Sequence, residues 1–290
     1  YNNLFAKMKI NLKNQSQFKQ NLFNETIRLG TKKLHQQKLS IKETVLNFIL
    51  DKLVRKKVKK NFGGRLEAFV SGGGPLDSKV GEALNALGLK TLQGYGLTET
   101  SPVVSCNPLH RIKVDTVGPI FPGVEVKLLE DGEILVRGEN LMLGYWNNTE
   151  ATEQTIKEGW LYTGDIGEFD KEGYLKITDR KKDIIVSMGG DNIAPSKLEN
   201  LLTLSSDIEQ ACVFGEQKNY IAALIILSND SKATREDIDN YINQINNDLT
   251  QPEKIKKFII IDEPFTIENN LMTPTMKVRR HEVQKKYNEI

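Results

Sequence analysis

The order of hydrophobic segments around a glycine-rich turn is the feature that most constrains the fold of this chain. Between residues 66 and 93 the sequence reads as a strand at 66–70, a turn with three glycines, a helix at 78–87 and a second strand at 91–93. Two strands joined by a crossover helix normally pair in parallel. The sequence therefore predicts an α/β protein that contains a βαβ sheet.

The residues before this unit are predicted to form a basic helical arm. Residues 4–60 contain no proline, and only Gly30 interrupts them. Val45, Phe48, Ile49 and Leu53 recur at helical spacing and fall on one face. This apolar face is expected either to pack on the body of the protein or to lie on a membrane surface.

The charge of the arm leaves several interpretations open. Residues 1–65 carry 16 Lys and Arg against three acidic residues, a net charge of +13, whereas the whole chain of 290 residues carries +2. Such a block is typical of solvated helix faces, and it also suits contact with anionic lipid or an acidic partner. We expect peripheral contact with an anionic membrane as one alternative and no nucleic-acid partner.

The rest of the chain divides into two further parts. Residues 117–178 show short strands separated by Gly, Asn and Asp turns and are predicted to be mostly β. Residues 184–290 alternate strands and helices, which predicts a small α+β domain. A hinge is expected at residues 180–183, between residues 1–179 and this small domain.

Composition and cysteine content exclude several classes of protein. With 39% hydrophobic and 27% charged residues, the chain is an ordinary globular protein, and its longest apolar run, residues 220–227, is too short to span a bilayer. Cys106 and Cys212 show no CxxC spacing, so neither a disulfide framework nor a zinc site is expected. We predict a cytoplasmic location, with the inner membrane face as the alternative. Because the chain lacks an initiator Met, we expect it to be a piece of a longer protein.

Two motifs suggest nucleotide chemistry. The sequence SGGGPL at residues 71–76 lets a ligand approach the backbone closely, although structural turns of this composition are common. The sequence GYGLTET at residues 94–100 combines an aromatic ring for stacking, a hydroxyl suited to a phosphate oxygen and a carboxylate suited to Mg²⁺. A capped glycine loop without a ligand is the simpler interpretation of this second motif.

Six motifs in order resemble one known family. They are SGGGPL, GYGLTET, GEILVRG, GWLYTGDIG, ITDRKKDIIVSMGG and TPTMKVRR, and they extend over residues 62–280. This order resembles the adenylate-forming acyl-CoA synthetase superfamily of AMP-binding enzymes, and the TPTMKVRR form is nearest to bacterial long-chain fatty acid CoA ligases. The resemblance implies the end of a large adenylate-forming domain followed by a small mobile C-terminal domain. It also implies ATP, Mg²⁺ and coenzyme A as cofactor and co-substrates, and a long-chain fatty acid as substrate.

The resemblance assigns roles to residues of the nucleotide site. Thr98 would contact the AMP phosphate, Glu99 would hold Mg²⁺, and Tyr95 would lie along the adenine. Asp165 would accept the ribose hydroxyls, which Arg180 would also reach. The glycines that would surround the nucleotide are Gly73, Gly74, Gly94 and Gly96.

The resemblance also implies a two-step reaction in which Lys277 works only in the first step. Lys277 would bridge the attacking carboxylate and the α-phosphate, and the small domain would then swing about Lys182. After the swing, the turn that contains Ser187, Gly189 and Gly190 would line the passage for the CoA thiol. Arg279 and Arg280 are expected to be solvated or to steer phosphate.

One family element is missing from the sequence. Residues 1–70 contain nothing like the Ser/Thr/Gly-rich loop ending in Pro-Lys-Gly that grips the β- and γ-phosphates of ATP. We therefore expect a fragment whose missing N-terminal half is a partner. Alternatives are another acyl-adenylate-forming ligase, acting on medium chains or loading a carrier protein, and a truncated remnant that binds a nucleotide or a partner without turnover.

Overall fold

A computed structural model describes residues 1–74, 76–216, 218–273 and 277–287. Pro75 of the first glycine motif and residues 274–276 of TPTMKVRR therefore lie outside the described residues. The chain folds as two compact units, Asn3–Thr178 and Asp179–Ile290. Mixed α/β structure was expected from the sequence, and this fold class is confirmed.

The first unit begins with the helical arm. Its helices are α1 (Asn2–Lys13), α2 (Gln17–Leu34), α3 (Ile41–Leu50) and α4 (Lys56–Lys60), and a π-helical turn at Asp51–Arg55 joins the last two into one continuous rod. A capping box starts α3, because the Ser40 hydroxyl accepts from the Glu43 amide while the Glu43 carboxylate accepts from the Ser40 amide. The arm is thus helical as predicted, but it is divided into segments.

The predicted βαβ unit follows. Strand β1 (Phe69–Ser71), helix α5 (Ser78–Ala86) and strand β2 (Thr91–Tyr95) occupy almost the predicted positions, and β1 pairs with β2 in parallel. Strand β3 (Ser105–Cys106) then adds antiparallel to β2. The Asp77 carboxylate caps α5 by accepting from the Val80 amide.

Gly30 does not interrupt a helix. It lies buried inside α2, where an added Cβ would stand 2.5 Å from the Cα of Ala86 in α5. Because any side chain would push the two helices apart, glycine is needed here for packing.

A mostly antiparallel sheet completes the first unit. Its elements are β4 (Val124–Leu128), β5 (Glu133–Gly138), α6 (Thr149–Thr155), β6 (Ile156–Lys157), β7 (Trp160–Phe169) and β8 (Leu175–Arg180). The strand order is β4-β5-β7-β6, and β8 pairs with β7. Ile134, Val136 and Leu161 form much of the core beneath it.

The second unit is an α+β domain. Its elements are β9 (Ile185–Val186), β10 (Asn192–Ile193), α7 (Pro195–Leu202), β11 (Ile208–Phe214), β12 (Ile221–Leu227), α8 (Arg235–Asn246), β13 (Ile255–Ile260) and α9 (Arg280–Lys286). Strand β12 lies between β11 and β13 and is almost wholly buried, as its unbroken apolar sequence indicates. Helix α7 begins with a proline at its first position.

Arg280 corrects one sequence-based expectation. Its guanidinium is not solvated: it is largely buried, and it donates to Glu199 Oε2 at 3.1 Å and to the Val213 carbonyl at 2.9 Å. Burial alone would lower the pKa of Arg280, but hydrogen bonding to Glu199 leaves it raised. Arg280 therefore joins α9 to α7 and β11.

Candidate active site

The two glycine motifs leave the parallel sheet at the same edge. Strands β1 and β2 run in parallel with Ser71 opposite Gln93, so the segments that follow their carboxyl ends lie side by side. An added Cβ on Gly72 would stand 3.7 Å from the carbonyl oxygen of Gly94. This is the edge at which α/β sheets commonly bind ligands.

The glycines at this edge serve different physical needs. An added Cβ on Gly73 or Gly74 would meet no atom within 4 Å, so open space lies next to this backbone. By contrast, a Cβ on Gly96 would stand 1.6 Å from the Pro102 carbonyl oxygen, and one on Gly94 would stand 3.2 Å from that of Ser105. Gly94 and Gly96 are therefore needed for chain packing, whereas Gly73 and Gly74 leave room for a ligand.

A hydrogen bond joins two residues that sequence analysis assigned to the nucleotide site. The Tyr95 hydroxyl donates to Asp165 Oδ2 at 2.7 Å, although the two residues are 70 positions apart. Asp165 is only 6% exposed, so its carboxylate is held in one orientation at the end of β2. The contact brings the GYGLTET and TGD motifs together.

Local strand geometry explains the orientation of Asp165. The pairing of β5 with β7 shifts register between Glu133 and Leu135, and Gly164 takes a left-handed φ of 69°. The Gly164 amide donates to Glu133 Oε1 at 3.1 Å, and the Thr163 hydroxyl accepts from the Asp165 amide at 3.1 Å. The TGD sequence is thus a strand irregularity that redirects an acidic side chain.

Glu99 and Tyr145 form a second contact in the first unit. Residues Thr98–Thr100 form a single 3₁₀ turn in which Thr98 is exposed. The Tyr145 hydroxyl donates to Glu99 Oε1 at 2.8 Å, and burial together with this bond raises the pKa of Tyr145. Sequence analysis gave no role to Tyr145 or Glu133. The one sequence feature that could have drawn attention to Tyr145 is the glycine that precedes it, Gly144.

The residues around Glu99 bear on the predicted Mg²⁺ site. Within the described part of the chain, no group of three or more His, Cys, Asp or Glu residues could hold a metal ion. A single carboxylate still suits Mg²⁺ that is held mainly by substrate phosphates and water. Glu99 therefore fits a metal that arrives with the nucleotide.

Four site residues of the second unit lie in turns. Backbone bonds from the amides of Asp183 and Ile184 to the Arg180 carbonyl form the turn that contains exposed Lys182. Between β9 and β10, the Ser187 hydroxyl accepts from the amides of Gly189 and Asp191, both at 3.1 Å. Ser187 therefore organises this glycine turn.

Lys277 lies in a separate loop of the second unit. Its amide donates to the Thr273 hydroxyl at 3.0 Å, its carbonyl accepts from the Thr273 amide at 2.8 Å, and Met272 forms a β-bridge with Val278. Lys277 is exposed. The loop thus holds the backbone of Lys277 while its ammonium faces solvent.

Two family models and several known proteins match most of this chain. The AMP-binding enzyme family model matches residues 33–146, and the model of the AMP-binding enzyme C-terminal domain matches residues 182–290. The long-chain-fatty-acid CoA ligase FadD15 of Mycobacterium bovis is 40% identical over 261 residues, covering 82% of this chain and 44% of that protein. A chloroplastic long-chain-fatty-acid [acyl-carrier-protein] ligase of Arabidopsis thaliana, AEE15, is 34% identical over 274 residues, covering 84% of this chain and 38% of that protein.

A solved structure has the same fold. The o-succinylbenzoate CoA synthetase of Bacillus subtilis, in complex with its acyl-adenylate intermediate, is 27% identical with a TM-score of 0.64, covering 75% of this chain and 46% of that one. The chain thus spans less than half the length of the relatives it matches. With both family models in order along it, the chain belongs to the adenylate-forming AMP-binding enzymes, the superfamily of the acyl-CoA synthetases.

Proposed function

We propose that this chain is the C-terminal part of a long-chain fatty acid CoA ligase. The reaction joins a fatty acid to AMP with release of diphosphate and then transfers the acyl group from AMP to the thiol of coenzyme A. The observation that carries the proposal is the Tyr95–Asp165 hydrogen bond of 2.7 Å, because it joins two nucleotide motifs beside open backbone. The 40% identity to a mycobacterial long-chain ligase supports the choice of substrate.

In the first step the first unit binds the AMP portion of ATP. Asp165 accepts the ribose hydroxyls, which a carboxylate can do with two oxygens, and Tyr95 orients it while its ring lies along the adenine. The adenine enters the open space beside Gly73 and Gly74. The Thr98 hydroxyl donates to the α-phosphate. Glu99, oriented by Tyr145, would hold Mg²⁺, whose charge would offset that of the phosphates.

The second unit supplies a cation and then removes it. The Lys277 ammonium offers three donors, which suits oxygens of the carboxylate and the α-phosphate as charge moves between them. Arg180 reaches the ribose. The unit then swings about the turn at Lys182, and the Ser187–Gly190 turn lines the passage of the CoA thiol.

This function is tested by measuring adenylation and acyl transfer to CoA separately. The protein for these assays carries a complete adenylate-forming domain ahead of these residues. Lys277→Ala should lower adenylation by about 100-fold or more, as expected for a lost transition-state cation, and leave transfer from supplied acyl-AMP to CoA largely intact. Lys285→Ala, another exposed lysine, is the control.

The reverse effect is expected at the glycine turn. Gly189→Leu should impair thiol transfer and spare adenylation; Gly189 is preferred because Gly190 has a φ of 84°, where leucine would strain the backbone. Equal loss of both half-reactions in folded Lys277→Ala would contradict the two-step assignment.

Loading of a carrier protein is the second candidate function. The similarity to the Arabidopsis acyl-carrier-protein ligase, at 34% identity, favours it. Both candidates share the acyl-adenylate and differ in the thiol that accepts the acyl group. Comparing the rates of acyl transfer to CoA and to a carrier protein, at equal enzyme concentration, decides between them. Repeating the assay with medium-chain and long-chain fatty acids tests the preferred chain length.

We further propose that the arm contacts an anionic membrane surface. No helix among the described residues is both long and apolar enough to cross a membrane. The apolar face predicted on α3 is nevertheless exposed: Val45 is 56% and Phe48 60% accessible. Lysines follow this face directly along the rod, an arrangement that suits a helix lying in the membrane interface.

A further inference from the structure

A basic cleft lies on the first unit, away from the glycine motifs. It is a half-open groove of about 750 Å³ between α2, the rod formed by α3 and α4, the end of α5 and the loop at residues 109–113. None of the residues assigned above to nucleotide, metal or thiol lines it. Lys90, which immediately precedes β2, is part of the wall of the cleft. The cleft therefore lies at the amino-terminal end of β2, whereas the GYGLTET motif lies at its carboxyl end.

The cleft contains more positive charge than its own carboxylates neutralise. Three of its cations have partners: Arg55 pairs with Asp51 at 2.7 Å, Lys113 with Asp170 and Glu172, and Arg111 with Glu172. Four other ammonium groups line the cleft and form no ion pair with any described residue. They are Lys33, Lys56, Lys59 and Lys90. These four lysines leave the cleft with a net positive charge, which favours a bound anion.

The wall of the cleft is held rigidly. The Arg55 side chain is only 12% exposed, and it donates to the Ala86 carbonyl at 2.6 Å and to the Thr26 carbonyl at 3.1 Å. It projects from the π-helical turn at Asp51–Arg55, a kind of irregularity that is frequent at functional sites. The rod, α2 and α5 are therefore fixed around the cleft.

One buried polar atom in the wall has no partner. Asn47 lines the cleft and is 8% exposed, and its Oδ1 atom accepts no hydrogen bond from the described residues. This oxygen is closed off from solvent, so a ligand N–H or O–H group would reach it only if the wall of the cleft moved.

We propose that this cleft binds a phosphorylated small molecule of about nucleotide size. Lysine ammonium groups bind phosphate oxygens as point charges, and four of them suit a ligand with more than one phosphate charge. The volume lies within the range of small-molecule sites, about 300–1,000 Å³. The phosphate group that binds the lysines could belong to a soluble metabolite or to a lipid headgroup, because both present the same anionic oxygens.

Calorimetric titration of the 290-residue chain with tripolyphosphate tests the soluble source. The variant Lys56→Gln/Lys59→Gln should weaken binding by about tenfold or more, since it removes two charge-assisted contacts. The matched control is Lys57→Gln/Lys60→Gln, which removes the same charge from the same helix at positions that do not line the cleft. The control should stay within about twofold of the unmodified chain, because it changes only the long-range field.

Co-sedimentation with phosphatidylcholine vesicles that contain phosphatidic acid tests the lipid source with the same two variants. A clearly greater loss of vesicle binding in the cleft variant than in the control, without tripolyphosphate binding, identifies a headgroup ligand. Equal loss in both variants, with either probe, means that general positive charge and not the cleft attracts phosphate, and it overturns the proposal. Absence of binding to both probes overturns it as well. The proposed ligase activity does not enter either measurement, so the two proposals fail separately.

Discussion

At the scale of single residues, the hydroxyl of Tyr95 has a role that its ring alone would not supply. It donates to Asp165 Oδ2 at 2.7 Å, and the buried carboxylate is thereby oriented before any ribose binds. A preoriented acceptor loses less freedom when the ligand arrives, which favours affinity. The aromatic ring and the hydroxyl therefore act on different parts of the same nucleotide.

Replacing this hydroxyl should affect ribose binding but not base binding. We expect Tyr95→Phe to weaken AMP binding to this chain by about tenfold, since a hydrogen bond to a charged group contributes about 1.5–3 kcal/mol. Binding of free adenine should change little because the ring remains. Ligand-observed NMR with AMP and adenine measures both affinities.

The control is Tyr162→Phe, which removes a hydroxyl from β7 that has no hydrogen bond among the described residues. If Tyr95→Phe lowers the affinity for adenine as much as that for AMP, the hydroxyl does not act through Asp165.

At the scale of elements, the rod formed by α3, the π-helical turn and α4 has two separate surfaces. Arg55 and Asn47 point toward α2 and the basic cleft, whereas Val45 and Phe48 are exposed. Its start is fixed by Glu43, whose pKa is lowered to about 2, chiefly by the Lys32 ammonium and then by the Ser40 amide. Periodicity predicted the apolar face, but only the packing of the described residues shows that this chain leaves it uncovered.

If the exposed face of the rod meets a membrane, both its charge and its apolar side chains should matter. We expect the chain to co-sediment with anionic but not with neutral vesicles, and to be released by salt. Reversal of Lys56, Lys57, Lys59 and Lys60 to Glu should reduce binding strongly, because each basic residue near an anionic surface contributes about 1 kcal/mol.

The apolar contribution has its own variant and control. Phe48→Ser should also reduce vesicle binding, whereas Phe18→Ser changes an even more exposed phenylalanine on α2 and should have little effect. Vesicle binding that survives all four charge reversals would contradict membrane contact.

At the scale of the whole molecule, local patterns predicted elements better than they predicted contacts. The alternation of strands and helices in residues 184–290 was predicted, and the parallel pairing of β1 with β2 followed from the crossover helix. Arg280 was misjudged because its partner Glu199 is 81 residues away, and the Tyr95–Asp165 bond spans 70 residues. Such pairs depend on how sheets and helices pack, which no short sequence window contains.

The last prediction concerns what this chain can do alone. The first unit retains the Tyr95–Asp165 contact and the open backbone at Gly73 and Gly74, which suit AMP, but residues 1–70 contain no Ser/Thr/Gly-rich loop ending in Pro-Lys-Gly. Such a loop binds the β- and γ-phosphates through backbone amides and a lysine. We therefore expect the 290-residue chain to bind AMP and yet to show little ATP–diphosphate exchange with palmitate. A full-length long-chain ligase assayed beside it provides the positive control, and AMP binding confirms that the chain is folded. Exchange at a rate comparable with that of the full-length enzyme would show that phosphate binding does not need the loop, and that residues in this chain, such as the lysines of the basic arm, perform that task.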